Sequence, residues 1–267
     1  MFHKNKGGKM VKKILFIYLL FFSYSISLIL IPNILANDCP QNPICFGGSC
    51  DCSNWSSWEE KMEAIDMGQY GFPQCTLWVW YCYRQCMDPG KENCVEINIT
   101  TIQAKIPYCG ECEGFFNWLN SDDEWTIARR TRNVINYLFR TIVIRNWFRF
   151  LEDLPQEFWP YCDDPDSPRQ KFIWWQANCR GYCFTQYPIG QPDVRFLITI
   201  KDCMEPYCCG REIDFCVDRA TNQTIIETRR IGGPPTECPS VRIPLNECPP
   251  GQNVQSTSCI DNCEDVE

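Results

Sequence analysis

Cys75-Thr76-Leu77-Trp78-Val79-Trp80-Tyr81-Cys82-Tyr83, the turn Asp88-Pro89-Gly90, and Cys94-Val95-Glu96-Ile97-Asn98-Ile99-Thr100 decide how this chain folds. The first run is aromatic and β-branched and carries no charge, which predicts a buried strand. The last alternates apolar and polar residues over seven positions, which predicts a half-buried strand. Asp, Pro and Gly supply the turn chemistry between them. The unit reads as an antiparallel pair with a disulfide near the neck of its turn.

A second copy of part of this unit is expected further on. Cys86-Met87-Asp88-Pro89, Gly90-Lys91-Glu92 and Cys94-Val95-Glu96 match Cys203-Met204-Glu205-Pro206, Gly210-Arg211-Glu212 and Cys216-Val217-Asp218. The strand-like run Val194-Arg195-Phe196-Leu197-Ile198-Thr199-Ile200 precedes the second copy, and Thr224-Ile225 follows it as Thr101-Ile102 follows the first. Each copy then reaches a cysteine, Cys112 or Cys238. Duplication of a small meander explains these matches. The spacing Cys179-x3-Cys183 also repeats that of Cys82-x3-Cys86.

Ser121-Asp122-Asp123-Glu124, between the two copies, is a capping box that opens a long helix ending at Pro155. Ala128, Ile135, Phe139, Ile142, Val143 and Phe150 share one face; Tyr137, Ile144, Trp147 and Leu151 share another. A helix apolar on two sides is expected to pack between two bodies. A shorter helix through Met67 is expected after Ser56 and Ser57. The fold class is therefore α+β: two related, disulfide-stapled antiparallel β units flanking a helical insert, with a Cys/Pro-rich tail outside the core. The expected segments are 1–36 (signal peptide), 37–120 (Cys-rich N-terminal segment and first β unit), 121–155 (Arg-rich amphipathic helix), 156–238 (second β unit) and 239–267 (tail).

The signal peptide follows from Lys4, Lys6, Lys9, Lys12 and Lys13 ahead of the apolar run from Ile14, with a cleavage site after Ala36. The alternative is an uncleaved membrane anchor, the one membrane contact expected. Loss of those five lysines and no acid takes the net charge from −8 to −13, which excludes nucleic-acid binding on electrostatic grounds. All 21 cysteines lie after residue 38, so the protein is expected to be secreted or in the cell envelope, extracellular or periplasmic. Twenty-one is odd, which allows a disulfide-linked dimer, with Cys208 or Cys209 the first residues to inspect.

The single histidine, His3, lies within the signal, so triads that use histidine are excluded from the mature chain. No metal or cofactor is expected, since zinc needs four well-placed ligands. Tyr108-Cys109-Gly110-Glu111-Cys112 resembles the redox motif of thioredoxin-type oxidoreductases, but its surroundings lack the β-α-β pattern. Cys86, Cys94, Cys112, Cys203, Cys216 and Cys238 are read as structural disulfide cysteines. Trp55, Trp58, Trp174 and Trp175 are the candidate ligand contacts, on the analogy of aromatics that stack on sugar rings.

These residues point to a non-catalytic binding, adhesion or structural protein with a carbohydrate or an extracellular protein as its partner. One alternative is a carboxylate-dependent hydrolase using Glu59-Glu60-Glu63, Asp122-Asp123-Glu124 or Asp163-Asp164-Asp166. Another is a thiol–disulfide protein acting through Cys109 and Cys112.

Overall fold

The computed structural model describes residues 39, 50, 52–91, 93–105, 112–164, 169–177, 179–188, 194–203, 208–232, 238 and 240–261. The opening hairpin forms as its sequence predicts. Strand β2 (Phe72–Gln85) turns through Gly90, which adopts φ +79°, and returns as β3 (Cys94–Lys105), antiparallel from Trp78↔Gln103 to Gln85↔Val95. Leu77, Val79 and Tyr81 bury one face of β2. On β3 Val95, Ile97 and Ile99 share that face, and a register shift beyond Ile99 passes it to Ile102 and Ala104. β3 is buried on both faces at its start, not half-buried, because its Glu96 is covered by Arg84.

The segment before the hairpin is strand β1 (Glu59–Met67), not the expected helix. It pairs antiparallel with β2 from Glu59↔Tyr83 to Met67↔Phe72. Glu63, Ile65 and Met67 point inward. A charged residue in an inward position masked the two-residue period in the sequence.

The two-unit arrangement is not what forms. Among the described residues ten strands form one sheet, which forks at β3. On the far edge of β3, β4 (Gln170–Ala177) pairs in parallel with Cys94–Glu96, whereas β6 (Val194–Asp202) pairs antiparallel with Thr101–Lys105. Beyond β4 lie β7 (Cys208–Asp218) and β8 (Gln223–Gly232). Beyond β6 lies β5 (Cys179–Gln186), whose outer edge takes β9 (Asn253–Ser256) and β10 (Ile260–Asp261). The second copy of the turn motif therefore joins β6 in one wing to β7 in the other, with β3 and β4 between them, and makes no hairpin. The tail adds two strands and buries Ile260 in the main core, so it is not outside the fold.

Two helices cover the inner face: α1 (Cys112–Leu119), which runs through Gly114, and α2 (Glu124–Asp153). The N-cap of α2 is Asp123, which accepts the backbone N–H groups of Trp125 and Thr126. Ser121 instead donates to the Trp118 carbonyl. Thr141-Ile142-Val143-Ile144 stays helical. Arg145 and Arg149 reach Glu63 on β1, while Trp147 on the same turn donates to Thr224 Oγ1 on β8 at 3.0 Å. Flat, the five strand spacings from β1 to β8 would span roughly 24 Å. A helix with its side chains is only about 10–12 Å wide. The sheet must therefore curl around α2, so the helix lies in one curved sheet and not between two separate bodies. Its earlier turns meet the other wing, where Arg132 donates to the Asp261 carbonyl at 2.7 Å.

The outer face is closed by disulfides. Cys82, Cys94, Cys179, Cys183 and Cys216 alternate with core residues along their strands, which turns their sulfurs away from the helices. Among the described residues three bonds tie the N-terminal segment to the first hairpin: Cys39–Cys82, Cys50–Cys94 and Cys52–Cys86. Three tie the tail to the β5–β6 hairpin: Cys179–Cys238, Cys183–Cys248 and Cys203–Cys259. Cys86 and Cys94 sit across the turn neck, with Cys86 N–H donating to the Cys94 carbonyl, but each sulfur bonds to the N-terminal strap instead of its neighbour. The two C-x3-C pairs sit at opposite ends of their hairpins: Cys82 and Cys86 lie at the turn of β2–β3, whereas Cys179 starts β5 at the open end of β5–β6, where the Cys203 N–H donates to its carbonyl.

Candidate functional site

The four tryptophans proposed as ligand contacts occupy different settings. Trp174 lies in the main core against Phe139, with ring centroids 4.7 Å apart, and Trp175 lies in the outer cluster with Cys86, Cys94 and Ile173. They are 1% and 8% exposed, so neither offers a ring face to a ligand. Trp55 and Trp58 are half-buried, and their rings hold the Arg84 guanidinium between them, at 4.7 and 4.4 Å from the two centroids. Arg84 in turn donates to Glu96 at 2.7 Å. Burial pushes the Glu96 carboxyl up, and the Arg84 charge works against that rise. These rings serve an internal cation–π stack.

The cysteines chosen as structural are all bonded. Beyond the pairs already described, Cys112 joins Cys75, which fixes α1 to β2, and Cys216 joins Cys162. Bonded to Cys75, Cys112 is not a redox partner for Cys109, which lies outside the described residues. Cys209 is also disulfide-bonded, so it is not the odd thiol. The Cys208 side chain lies outside the described set. Cys52, Cys86 and Asp88 approach one another, but both sulfurs are used in their mutual disulfide, and one carboxylate alone does not make a metal site.

The acidic clusters do structural work. Asp123 caps α2, and Asp122 pairs with Arg130 at 3.1 Å. Glu124 pairs with Arg242 at 2.7 Å and accepts from Ser258, which anchors the tail. Asp163 and Asp164 face Arg219, and Asp166 lies outside the described residues. Glu63 is buried between two arginines, while Glu59 and Glu60 are exposed on the edge strand. Among the described residues no pair of these carboxylates lines the described cavity.

That cavity, of about 370 Å³, opens where α1 meets the β5–β9 edge. Phe116 and Phe196, stacked with centroids 4.4 Å apart, form its floor with Phe184. Asn117 and Asn120 come from α1 and the residue just past it, Gln186 from β5, and Asn253 and Gln255 from β9. Asn117, Asn253 and Gln255 are exposed at the rim, and the Asn120 Oδ1 is buried without a hydrogen-bond partner. Asn253 donates to Gln186 Oε1 at 2.8 Å. Among the described residues the lining holds no acid, base or thiol.

No family model, curated protein or solved structure matches this chain. The cavity residues have no signature in the sequence. The five amides come from three stretches far apart in the chain, and they meet because the Cys75–Cys112 bond seats α1 while the tail pairs with β5. Among the described residues no helix is long and apolar enough to cross a membrane. The abundant disulfides fit a disulfide-rich extracellular protein.

Proposed function

We propose that this chain is a secreted, non-catalytic binding protein whose partner is a carbohydrate or an extracellular protein. The observation that carries the proposal is the composition of the α1–β9 cavity: side-chain amides, a threonine and phenyl rings, with no group among the described residues suited to proton transfer or nucleophilic attack. Of the carboxylates that a hydrolase would need, Glu63, Asp122, Asp123, Glu124, Asp163 and Asp164 are instead held by arginines or helix N–H groups at separate places in the fold. A protein that leaves the cell gains from the cross-linking seen here. In the chain-entropy model one bond closing a loop of about 40 residues stabilises the fold by about 4 kcal/mol.

The test is an array of glycans and matrix proteins probed with the disulfide-intact chain, run beside glycoside-hydrolysis and thiol-exchange assays. Saturable binding without turnover is the expected result. Turnover abolished by an Asp or Glu substitution would transfer the assignment to the hydrolase reading. N-terminal sequencing of exported protein should begin at Asn37.

A further inference from the structure

We infer that the α1–β9 cavity is a site for a neutral, polyhydroxylated ring, a saccharide unit without carboxylate, sulfate or phosphate. This inference rests on the binding reading above and specifies its site and ligand class.

Three features of the cavity point to that chemistry. First, among the described residues its lining carries no charged side chain, so an ionised ligand would lose water without gaining a counter-charge there. Second, its polar groups are primary amides, each carrying an acceptor oxygen and a two-hydrogen donor. Hydroxyls are donors and acceptors at once, so a ring bearing several of them matches a ring of amides better than it matches carboxylates or ammonium groups. Third, the amides are under-used within the fold. The Asn253–Gln186 bond employs one Asn253 hydrogen and leaves its oxygen, and it leaves the Gln186 –NH2. The buried Asn120 Oδ1 has no protein donor at all. That oxygen is closed to solvent and so to a ligand hydroxyl, and the amides within a ligand's reach are the exposed Asn117, Asn253 and Gln255 at the rim.

The floor supplies the apolar part. Phe116, Phe184 and Phe196 are each buried to more than nine-tenths, and Phe116 and Phe196 stack on each other, so they close the inner wall with apolar carbon and leave ligand contact to the amides at the rim. Its volume is at the lower end of the range for small-molecule sites, which suits one or two rings and not a long chain. The supports are rigid. α1 is bonded to β2 through Cys75–Cys112, and the β9 segment is held by Cys183–Cys248 and by Thr185 Oγ1 donating to the Pro249 carbonyl. A preformed site loses less entropy on binding.

The experiment uses the disulfide-intact mature chain, labelled with 15N, and follows the side-chain amide resonances of Asn117, Asn120, Gln186, Asn253 and Gln255. The probes are free neutral disaccharides (cellobiose, maltose, lactose and diacetylchitobiose) and a glucuronic-acid disaccharide as the charged control. At least one neutral disaccharide should shift these amides saturably, and the charged one should not. N117L and Q255L change exposed rim residues and should melt as the parent does. Each should weaken the shifting disaccharide roughly fivefold to tenfold, the loss of one neutral hydrogen bond. The inference is overturned if no neutral disaccharide moves the five amides, if the charged one moves them more, or if neither variant changes the affinity. A positive glycan or matrix array with silent cavity amides would sink this site and leave the binding reading standing. A blank array with silent amides would remove both.

Discussion

Arg84 shows how single residues close the outer face of the sheet. Its guanidinium sits between Trp55 and Trp58 and holds Glu96, whose side chain is 5% exposed. Removing one partner of a buried pair strands the other, so Arg84→Ala should destabilise by about 3 kcal/mol in urea unfolding under non-reducing conditions. E96Q combined with R84M should recover much of that loss, since no buried charge remains. The titratable groups set the pH limits. Asp123, Asp88 and Asp218 have carboxyls held below their usual range by hydrogen bonds, from the Thr126 hydroxyl, the Ser53 N–H and the Thr221 hydroxyl respectively. Their contribution is complete above the unfolded carboxylate range and is lost as pH falls through the lower folded values. Tyr70, half-buried against Phe115 and Tyr137, is pushed up to about 12 by that desolvation. The folded state therefore keeps a proton that the unfolded state releases, and stability should decline as pH rises from about 10 toward about 12. Thermal melts across both ranges check the two signs.

Elements were legible where their periodicity was undisturbed. The β2–β3 hairpin and α2 follow from aromatic and β-branched runs, turn residues and a capping sequence, all local signals. β1 was not legible, because Glu63 occupies a core-facing position that becomes tolerable only when Arg145 and Arg149 arrive from 80 or so residues away. The tail was not legible as strand either, since its pairing depends on three disulfides and on Gly181. A Cβ at Gly181 would lie 2.6 Å from Ile243 Cγ1, so only glycine lets the tail approach β5 this closely. Gly181→Ala should lower the melting temperature, and adding Ile243→Ala should restore part of it. For α2, Trp147→Ala should cost about 3–5 kcal/mol by opening a cavity among Phe150, Phe215 and Thr224. Trp147→Phe should cost much less, because the ring stack survives and only the bond to Thr224 is lost.

The described residues from Cys39 onward form one forked sheet curled around a helix, with the segment before β1 and the tail after β8 strapped over its outer face. The cysteine count announced cross-linking but not its pattern, because pairing depends on which strand face each sulfur occupies, and that parity was readable only once the strands were placed. The repeated Cys-Met-acid-Pro motif suggested a shared hairpin, yet its second copy bridges the two wings. The C-x3-C spacing marked two hairpins that disulfides clamp, β2–β3 at its turn and β5–β6 from its open end. The candidate site belongs to this scale too, since its amides meet only when α1, β5 and the tail are joined. Non-reducing peptide mapping of the exported protein tests this architecture most directly. The fold predicts linked peptides for Cys39–Cys82, Cys50–Cys94 and Cys52–Cys86, for Cys179–Cys238, Cys183–Cys248 and Cys203–Cys259, and for Cys75–Cys112. A Cys86–Cys94 or Cys109–Cys112 link, or mostly free thiols, would contradict it.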